Sequence, residues 1–367
     1  MLLEGGLAMN RRDYLGLIGS IAVTPLATAL GEAQPSAYEA ALAACPDFNG
    51  TIAVGRGSSV LFSKAMGVAD PQSQAPMALG TRFEAGSVSK WVAAIIVMKL
   101  VDQGVLRLDD PIKLYLPGYR ADNGARLTLR HLMSHSSGVP NELIAARKAD
   151  PAVARTELGQ MEAVQRYASG DLQFAPGSSW DYSHSNWLIV KAIVEHMGGR
   201  PYRDLVAAWL TEPLGLRDSG LFKGESSAIP GMALAYAGPA SAWQRKVNAV
   251  PDYMAMAGGF YSSAPDMLRL MDGVLMGDIL TPASRATLMK VNMPGQRYAL
   301  GGRTRVETIA GQAREAAWED GSNGGFRLVA RRVLADGITV VVFNNSSFDH
   351  QQLGTLASSM MEAAYGS

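Results

Sequence analysis

Two residues near position 90 have the types and the spacing for nucleophilic chemistry. The segment EAGSVSK, residues 84–90, places Ser87 three residues before Lys90, and the apolar run WVAAIIVMKL follows at once. Residues three apart lie on one face of a helix, so the lysine amine can reach the serine hydroxyl. A serine hydroxyl is a weak nucleophile near neutral pH and needs such a base. The spacing therefore predicts a nucleophile at Ser87 and its base at Lys90.

The surroundings of Lys90 favour its neutral form. An apolar run and the positive end of a helix both disfavour a protonated amine, so we expect a lowered pKa that allows Lys90 to accept a proton. The alternative is an exposed lysine on an ordinary helix, because Ser-x-x-Lys arises by chance about once in a chain of this length. The apolar residues from Trp91 to Val101 occupy nearly every side of the predicted helix, which favours burial.

The elements that must position these residues lie at both ends of the chain. Two β-rich runs near residues 50–55 and 59–66 flank a Gly-Arg-Gly-Ser turn, and two more around an Ala-Asp-Gly turn precede a closing helix. The segment between them reads as helices broken by Pro and Gly. The pattern predicts an α/β (α+β) fold in which both termini form one antiparallel sheet flanked by helices.

The same pattern divides the chain into parts. We predict an α/β domain from residues 38–100 and 255–367, with a mainly helical inserted domain at residues 101–254. A cleft at their junction is where a ligand would commonly bind.

The first residues resemble an export signal. Arg11 and Arg12 precede an apolar stretch that ends in small residues, so we predict a twin-arginine-type signal peptide at residues 1–33 and a periplasmic or secreted protein. The alternative, an amphipathic helix of the folded domain, fits less well because the stretch lacks a polar face. No later stretch is long and apolar enough to span a bilayer, so we predict no membrane contact after signal removal.

Composition narrows the class of partner. Lys and Arg together number 33, as do Asp and Glu, which gives no electrostatic case for nucleic acid; small molecules or peptides fit better as ligands. Cys45 is the one cysteine and cannot form an intramolecular disulfide. His131 and His135 have a metal-compatible spacing but lack a third ligand, so we predict no metal and no cofactor.

Seven stretches between about residues 45 and 365 resemble, in order, the motifs of one known family. This is the serine β-lactamase and penicillin-binding-protein superfamily, especially its class C β-lactamase-like and esterase-like branch. The stretches are FEAGSVSK, RLDDPIKLYLPGY, LTLRHLMSHSSGVP, FAPGSSWDYSHSNWLIV, EPLGLRDSG, MAGGFYSSAPDMLRL and WEDGSNGGF. The resemblance implies a β-lactamase-like fold.

The resemblance also implies roles for particular residues. Ser87 matches the acylated nucleophile, and Lys90 matches the lysine that activates it. Tyr182 in DYSHSN matches a second base that relays the proton to the leaving group, and we expect the nearby ammonium to lower its pKa. The oxyanion hole would consist of the backbone N–H groups of Ser87 and Ser322.

Two positions depart from the family pattern. His184 stands where the Tyr-x-Asn element has its asparagine, with Asn186 two residues further on. Glu319, or Asp320 if the register shifts by one, stands where the family has a basic residue, beside Gly321. We predict that His184, Asn186, Glu319 and Gly321 contact the substrate. An acidic residue would repel a substrate carboxylate, which favours esters, amides or cationic substrates over penicillins.

One hypothesis joins the two departures. His184 and Glu319 would face each other across the cleft as a compensating pair; the alternative is that both side chains point to solvent.

Three function classes follow from this pattern. The first is a serine hydrolase that forms an acyl-enzyme on Ser87 and acts as an esterase, D-amino-acid peptidase or β-lactamase-like enzyme. The alternatives are an acyltransferase that uses the same residues and a non-catalytic ligand-binding member of the fold.

Overall fold

The longest strands lie near the two ends of the chain in the computed structural model, which describes residues 36–238 and 242–366. The predicted strands near residues 50–55 and 59–66 are confirmed as the first two. The strands of the described residues are β1 (Gly50–Arg56), β2 (Ser59–Met66), β3 (Val68–Asp70), β4 (Ala75–Pro76), β5 (Phe83–Glu84), β6 (Gly220–Leu221), β7 (Gly224–Glu225), β8 (Ala235–Ala237), β9 (Gln244–Lys246), β10 (Ala249–Val250), β11 (Phe260–Ser262), β12 (Arg303–Ile309), β13 (Gln312–Asn323), β14 (Phe326–Val333) and β15 (Ile338–Asn344).

Most of the helices lie between β2 and β12. The apolar run after Lys90 is the interior of the second helix, and a π-helical turn at Ala207–Thr211 continues the eighth. The helices of the described residues are α1 (Ala37–Ala43), α2 (Val88–Asp102), α3 (Ala121–Gly124), α4 (Leu129–Met133), α5 (Glu142–Ala149), α6 (Gln160–Tyr167), α7 (Ser185–Gly198), α8 (Tyr202–Val206), α9 (Ala255–Gly258), α10 (Ala264–Leu275), α11 (Pro282–Met289) and α12 (His350–Gly366).

One six-stranded antiparallel sheet joins the two ends of the chain. Its strand order is β12-β13-β14-β15-β1-β2, so the N-terminal hairpin pairs with the last strand of the C-terminal meander. Gly50 lies opposite Asn344 at the start of that junction. The predicted fold class, an antiparallel sheet formed by both termini and flanked by helices, is confirmed.

The alternating side chains of the central strands divide the core into two layers. On β1, Ile52 and Val54 pack in the layer beneath α1 and α12, while Ala53 packs with α2 on the other face. All seven residues of β15 are buried, as expected for a strand covered on both faces. The helical segment between the two strand groups packs on the α2 side, so α2 lies inside the protein rather than on its surface.

A small sheet fixes the chain just before α2. The order β5-β11-β6 places Glu84 of β5 opposite Tyr261 of β11, which anchors the turn that leads to Ser87. The predicted division into an α/β domain and an inserted domain at residues 101–254 stays a prediction. The predicted signal peptide, residues 1–33, lies outside the described residues. Within the described ranges, every helix is too short or too polar to cross a membrane.

Candidate active site

Ser87 occupies the residue just before α2, at the end of a tight turn. Gly86 has φ +52°, which disfavours other residues, and a Cβ there would lie 2.5 Å from the backbone nitrogen of Ser322. A glycine is therefore required for the turn to approach β13 so closely. Ser87 itself is half-buried, whereas Gly86 and Val88 are buried, so the hydroxyl lies at an opening in an otherwise closed surface.

Lys90 lies one helical turn further on and points back at the serine. Its Nζ donates to the Oγ of Ser87 at 3.2 Å and to the carbonyl oxygen of Ala257 at 2.7 Å. The side chain is fully buried. Burial lowers the pKa of Lys90 to about 7; nearby Glu319 opposes this shift and Arg303 adds to it. The predicted lowering is confirmed, and a substantial fraction of the amine is unprotonated near neutral pH.

Tyr182 also contacts the hydroxyl of Ser87. Its hydroxyl donates to the Oγ of Ser87 at 2.8 Å, and its ring lies 5.0 Å from the Nζ of Lys90. The expected lowering of its pKa is wrong, because burial raises the pKa of Tyr182 and the carboxylate of Glu319 raises it further. Tyr182 is therefore a protonated hydrogen-bond donor in the resting site.

A buried histidine packs against the ring of Tyr182. His135 is fully buried, and its ring centroid lies 4.3 Å from that of Tyr182. The Nδ1 atom accepts a hydrogen bond from the backbone N–H of Ser183 at 3.1 Å. His135 also has φ +58°, so its backbone bends sharply to place the ring. Burial lowers its pKa well below the usual range, so the ring is neutral.

Among the described residues, no group of three or more His, Cys, Asp or Glu side chains could hold a metal ion.

The edge of β13 lies directly against the Ser87 turn. A Cβ at Gly321 would lie 2.2 Å from the carbonyl oxygen of Ala85, so these two backbones are in contact. Residues 316–318 of β13 pair with both neighbours, but residues 319–323 pair only with β14. The free edge at Ser322 therefore faces the turn. This geometry fits the predicted oxyanion hole of the Ser87 and Ser322 N–H groups.

Glu319 has a partner that the sequence did not predict. Its carboxylate is 5% exposed and accepts two bonds from Nη1 of Arg303, at 3.0 and 2.9 Å. Burial raises the pKa of Glu319, whereas the ion pair with Arg303 opposes that shift and favours the carboxylate. The predicted substrate contact of Glu319 is corrected, because the carboxylate is turned to the guanidinium of β12 and is almost closed to solvent.

The proposed pairing of His184 with Glu319 is wrong. No hydrogen bond or ion pair joins these side chains in the described part of the chain, and Nδ1 of His184 is buried without a hydrogen-bond partner. The His184 ring instead makes an edge contact with Tyr182, with 5.5 Å between centroids. Burial, then Lys90 and Arg147, lowers its pKa well below the usual range. His184 is thus a neutral, half-buried ring beside the tyrosine.

Asn186 is also corrected from a substrate contact to a structural residue. It is fully buried, and its Oδ1 accepts from the hydroxyl of Ser137 at 2.7 Å. Its Nδ2 lies 3.3 Å from Nδ1 of His135. These contacts hold the start of α7 in place and leave no side-chain atom free for a ligand.

Comparison with known proteins assigns the chain to one family. Residues 39–365 match the family described as Beta-lactamase. Esterase EstB from Burkholderia gladioli is 29% identical over an alignment 278 residues long, and the match covers 66% of this chain and 69% of that protein. D-alanyl-D-alanine-carboxypeptidase/endopeptidase AmpH from Escherichia coli (strain K12) is 28% identical, over 59% of this chain and 58% of its own length. The chain thus spans less than two thirds of AmpH.

The fold is also shared with solved structures. The D-amino acid amidase from Ochrobactrum anthropi SV3, in its complex with L-phenylalanine, has a TM-score of 0.75 and 21% identity. The match covers 90% of this chain and 98% of the amidase, so the likeness of fold extends over almost the whole of both.

Proposed function

We infer, since the chain belongs to the beta-lactamase family, that it is a serine hydrolase that forms an acyl-enzyme on Ser87. One observation carries this inference: the Oγ of Ser87 lies within hydrogen-bonding distance of both the Lys90 amine, at 3.2 Å, and the Tyr182 hydroxyl, at 2.8 Å. A nucleophile, a base and a proton donor thus meet at one half-buried point. A non-catalytic binding protein would have no need of all three.

Acylation begins with the neutral amine of Lys90. The amine takes the Oγ proton of Ser87 while Oγ attacks the substrate carbonyl carbon, because a base with a pKa near the working pH is best suited to this transfer. The carbonyl oxygen gains the negative charge. The N–H groups of Ser87 and Ser322 stabilise that oxyanion.

Expulsion of the leaving group needs a proton. The raised pKa of Tyr182 keeps its hydroxyl protonated, so Tyr182 donates a proton to the departing oxygen or nitrogen and regains one from the ammonium of Lys90. Water then attacks the acyl-enzyme with the same groups acting in reverse, which releases the acid and restores Ser87.

The substrate class follows from the charges beside the nucleophile. Arg303 and Glu319 neutralise each other, so the β13 edge offers no unpaired cation at position 319 for a substrate carboxylate. We propose esters and amides without an obligatory carboxylate as substrates, and slow turnover of penicillins. Similarity to EstB, an esterase, supports this choice.

Purified chain tested on three substrate classes checks this function. Hydrolysis of p-nitrophenyl butyrate and of a D-amino-acid p-nitroanilide should exceed that of a penicillin in kcat/KM, and Ser87→Ala should abolish all three. A penicillin turned over faster than both other substrates would contradict the substrate class.

We propose further that residues 1–33 direct the protein to the periplasm, supported by Arg11 and Arg12 ahead of an apolar stretch. Replacement of both arginines by lysine should leave the protein in the cytoplasmic fraction of an expressing bacterium. Unchanged periplasmic recovery would contradict this proposal.

A further inference from the structure

A buried carboxyl group lies three residues before the nucleophile and takes no part in the mechanism above. Glu84 of β5 is 3% exposed. Its Oε1 accepts from the Ser226 hydroxyl at 2.5 Å, and its Oε2 accepts from the side-chain amides of Asn323, at 2.5 Å, and Asn248, at 3.4 Å. All three donors are neutral, and no ion pair involves Glu84 in the described ranges. An apolar side chain of similar size would avoid the cost of burying this group.

The contact between Glu84 and Asn323 lies next to the proposed oxyanion hole. Asn323 directly follows Ser322 at the end of β13. Its Nδ2 donates both to Glu84 and to the carbonyl oxygen of Gly258, at 3.3 Å. Gly258 in turn follows Ala257, whose carbonyl oxygen holds Lys90. One amide therefore links the three segments that carry the nucleophile, the oxyanion donor and the anchor of the base.

The end of β13 that pairs only with β14 needs a further contact to hold it in place. Residues 319–323 have a hydrogen-bonded strand on one side only, because β12 pairs no further than Trp318. The spacing of the two N–H groups in an oxyanion hole must be held to within about 0.5 Å to be effective. The backbone contact at Gly86 sets how close Ser322 can come to the turn but does not hold it there, since van der Waals contact is weakly directional.

A chain of polar contacts reaches the same carboxylate from the helical part. Nη2 of Arg147 on α5 donates to Oδ1 of Asn248 at 3.3 Å, and the Nδ2 of Asn248 points to Glu84. Arg147 makes no ion pair in the described residues. The hydrogen bond from the guanidinium polarises the amide of Asn248 and strengthens its Nδ2 as a donor to Glu84. A stronger donor favours the carboxylate form of Glu84, which is the form that accepts from Asn323.

We propose that Glu84 is a positioning residue that fixes the Ser322 N–H relative to Ser87 through the side chain of Asn323. This assignment rests on the proposed function. Glu84 does not touch the substrate; it acts on the rate through the geometry of the oxyanion donors. The oxyanion forms only in the transition state, so a displaced donor lowers kcat and leaves substrate binding nearly unchanged.

The test replaces the carboxylate by an apolar side chain. Glu84→Met is of similar size but has no oxygen that could accept from Asn323 or Ser226. We expect kcat for p-nitrophenyl butyrate to fall about tenfold with KM within about threefold, and inactivation by a p-nitrophenyl phosphonate, which forms a tetrahedral adduct, to slow in parallel. Asn323→Ala removes the same contact by truncating its other, half-buried partner, and should give the same loss of kcat with KM nearly unchanged.

Ser226→Ala is the matched control. It removes a hydrogen bond from the same carboxylate but leaves the Asn323 contact, so it should lower the melting temperature and change kcat several times less than Glu84→Met does. In a double-mutant cycle on kcat, Glu84→Met and Asn323→Ala should be clearly non-additive, because each removes the contact between the two side chains.

Two outcomes would overturn the assignment. The first is additive effects on kcat, or a kcat loss in Glu84→Met no larger than that in Ser226→Ala; either would give Glu84 a merely structural role while the wild-type chain still reacts at Ser87. The second is a wild-type chain that shows no Ser87-dependent reaction with the phosphonate, which would also refute the proposed function.

Discussion

Arg303 holds both carboxylate oxygens of Glu319 with a single guanidinium nitrogen, at 3.0 and 2.9 Å. The ion pair crosses from β12 to β13 and lies near Lys90. Glu319 raises and Arg303 lowers the pKa of Lys90, so their effects oppose each other. Burial is therefore left as the main reason why the pKa of Lys90 is about 7.

The pH dependence of the wild-type enzyme should report Lys90. We expect kcat/KM for an ester to rise as the pH rises through about 7, because the neutral amine is the base. The raised pKa of Tyr182 predicts no loss of activity on the alkaline side below about pH 10. Initial rates in a series of buffers of constant ionic strength measure the rise on the acid side and check for any loss on the alkaline side. A profile flat from pH 5 to 9 would contradict Lys90 as the base.

Glu319→Gln should move the acid limb of that profile to lower pH. The substitution removes the carboxylate that favours the ammonium and leaves Arg303, which disfavours it, so the pKa of Lys90 should fall further. Glu307→Gln is the control. Glu307 forms an ion pair with Arg305 within β12 but is not among the groups that affect the pKa of Lys90. An acid limb that stays in place or moves to higher pH in Glu319→Gln would contradict this electrostatic account.

Lys90→Met should give an inactive but more stable protein at pH 6. A lysine whose folded pKa is lowered binds fewer protons in the folded than in the unfolded state between about pH 7 and 10.5, so wild-type stability rises with pH through that window. Below pH 7 the wild type bears the full cost of burying the charge, on the order of a few kcal/mol. The excess stability of Lys90→Met should therefore shrink between pH 6 and 9, as measured by thermal melts. An excess that grows with pH would contradict the lowered pKa.

Tyr182→Phe should lower kcat/KM by about a hundredfold, the usual scale for losing a positioned proton donor. The control is Tyr298→Phe, because the Tyr298 hydroxyl lies in the same aromatic cluster but is buried without a hydrogen-bond partner. That variant should change kcat/KM less than about threefold. Equal losses in the two variants would indicate a packing effect rather than proton transfer.

Local patterns were sufficient to predict the core of the site. Ser87 and Lys90 are three residues apart on one helix, so their contact follows from helical geometry alone. The hairpin of β1 and β2 likewise follows from two β-rich runs around a turn. Tyr182 was predicted only through the family resemblance, since nothing in the sequence near it indicates proximity to Ser87.

The contacts that sequence reasoning missed are those between distant segments. Arg303 meets Glu319 because β12 and β13 pair in a register that the sequence does not reveal, and Asn323 meets Glu84 across 239 residues of chain. The direction of the Tyr182 pKa shift was wrong for a related reason. Its sign depends on the balance between burial and nearby charge, and the depth of burial is set by the whole fold.

The assignment of Ser87 as the nucleophile can be tested by mapping the site of covalent modification. After reaction with a fluorescent phosphonate, we expect one added mass on the wild-type chain, located by peptide mapping on the fragment that contains Ser87, and no addition in Ser87→Ala. Modification of a fragment without Ser87, or equal labelling of Ser87→Ala, would contradict the assignment of Ser87 as the nucleophile.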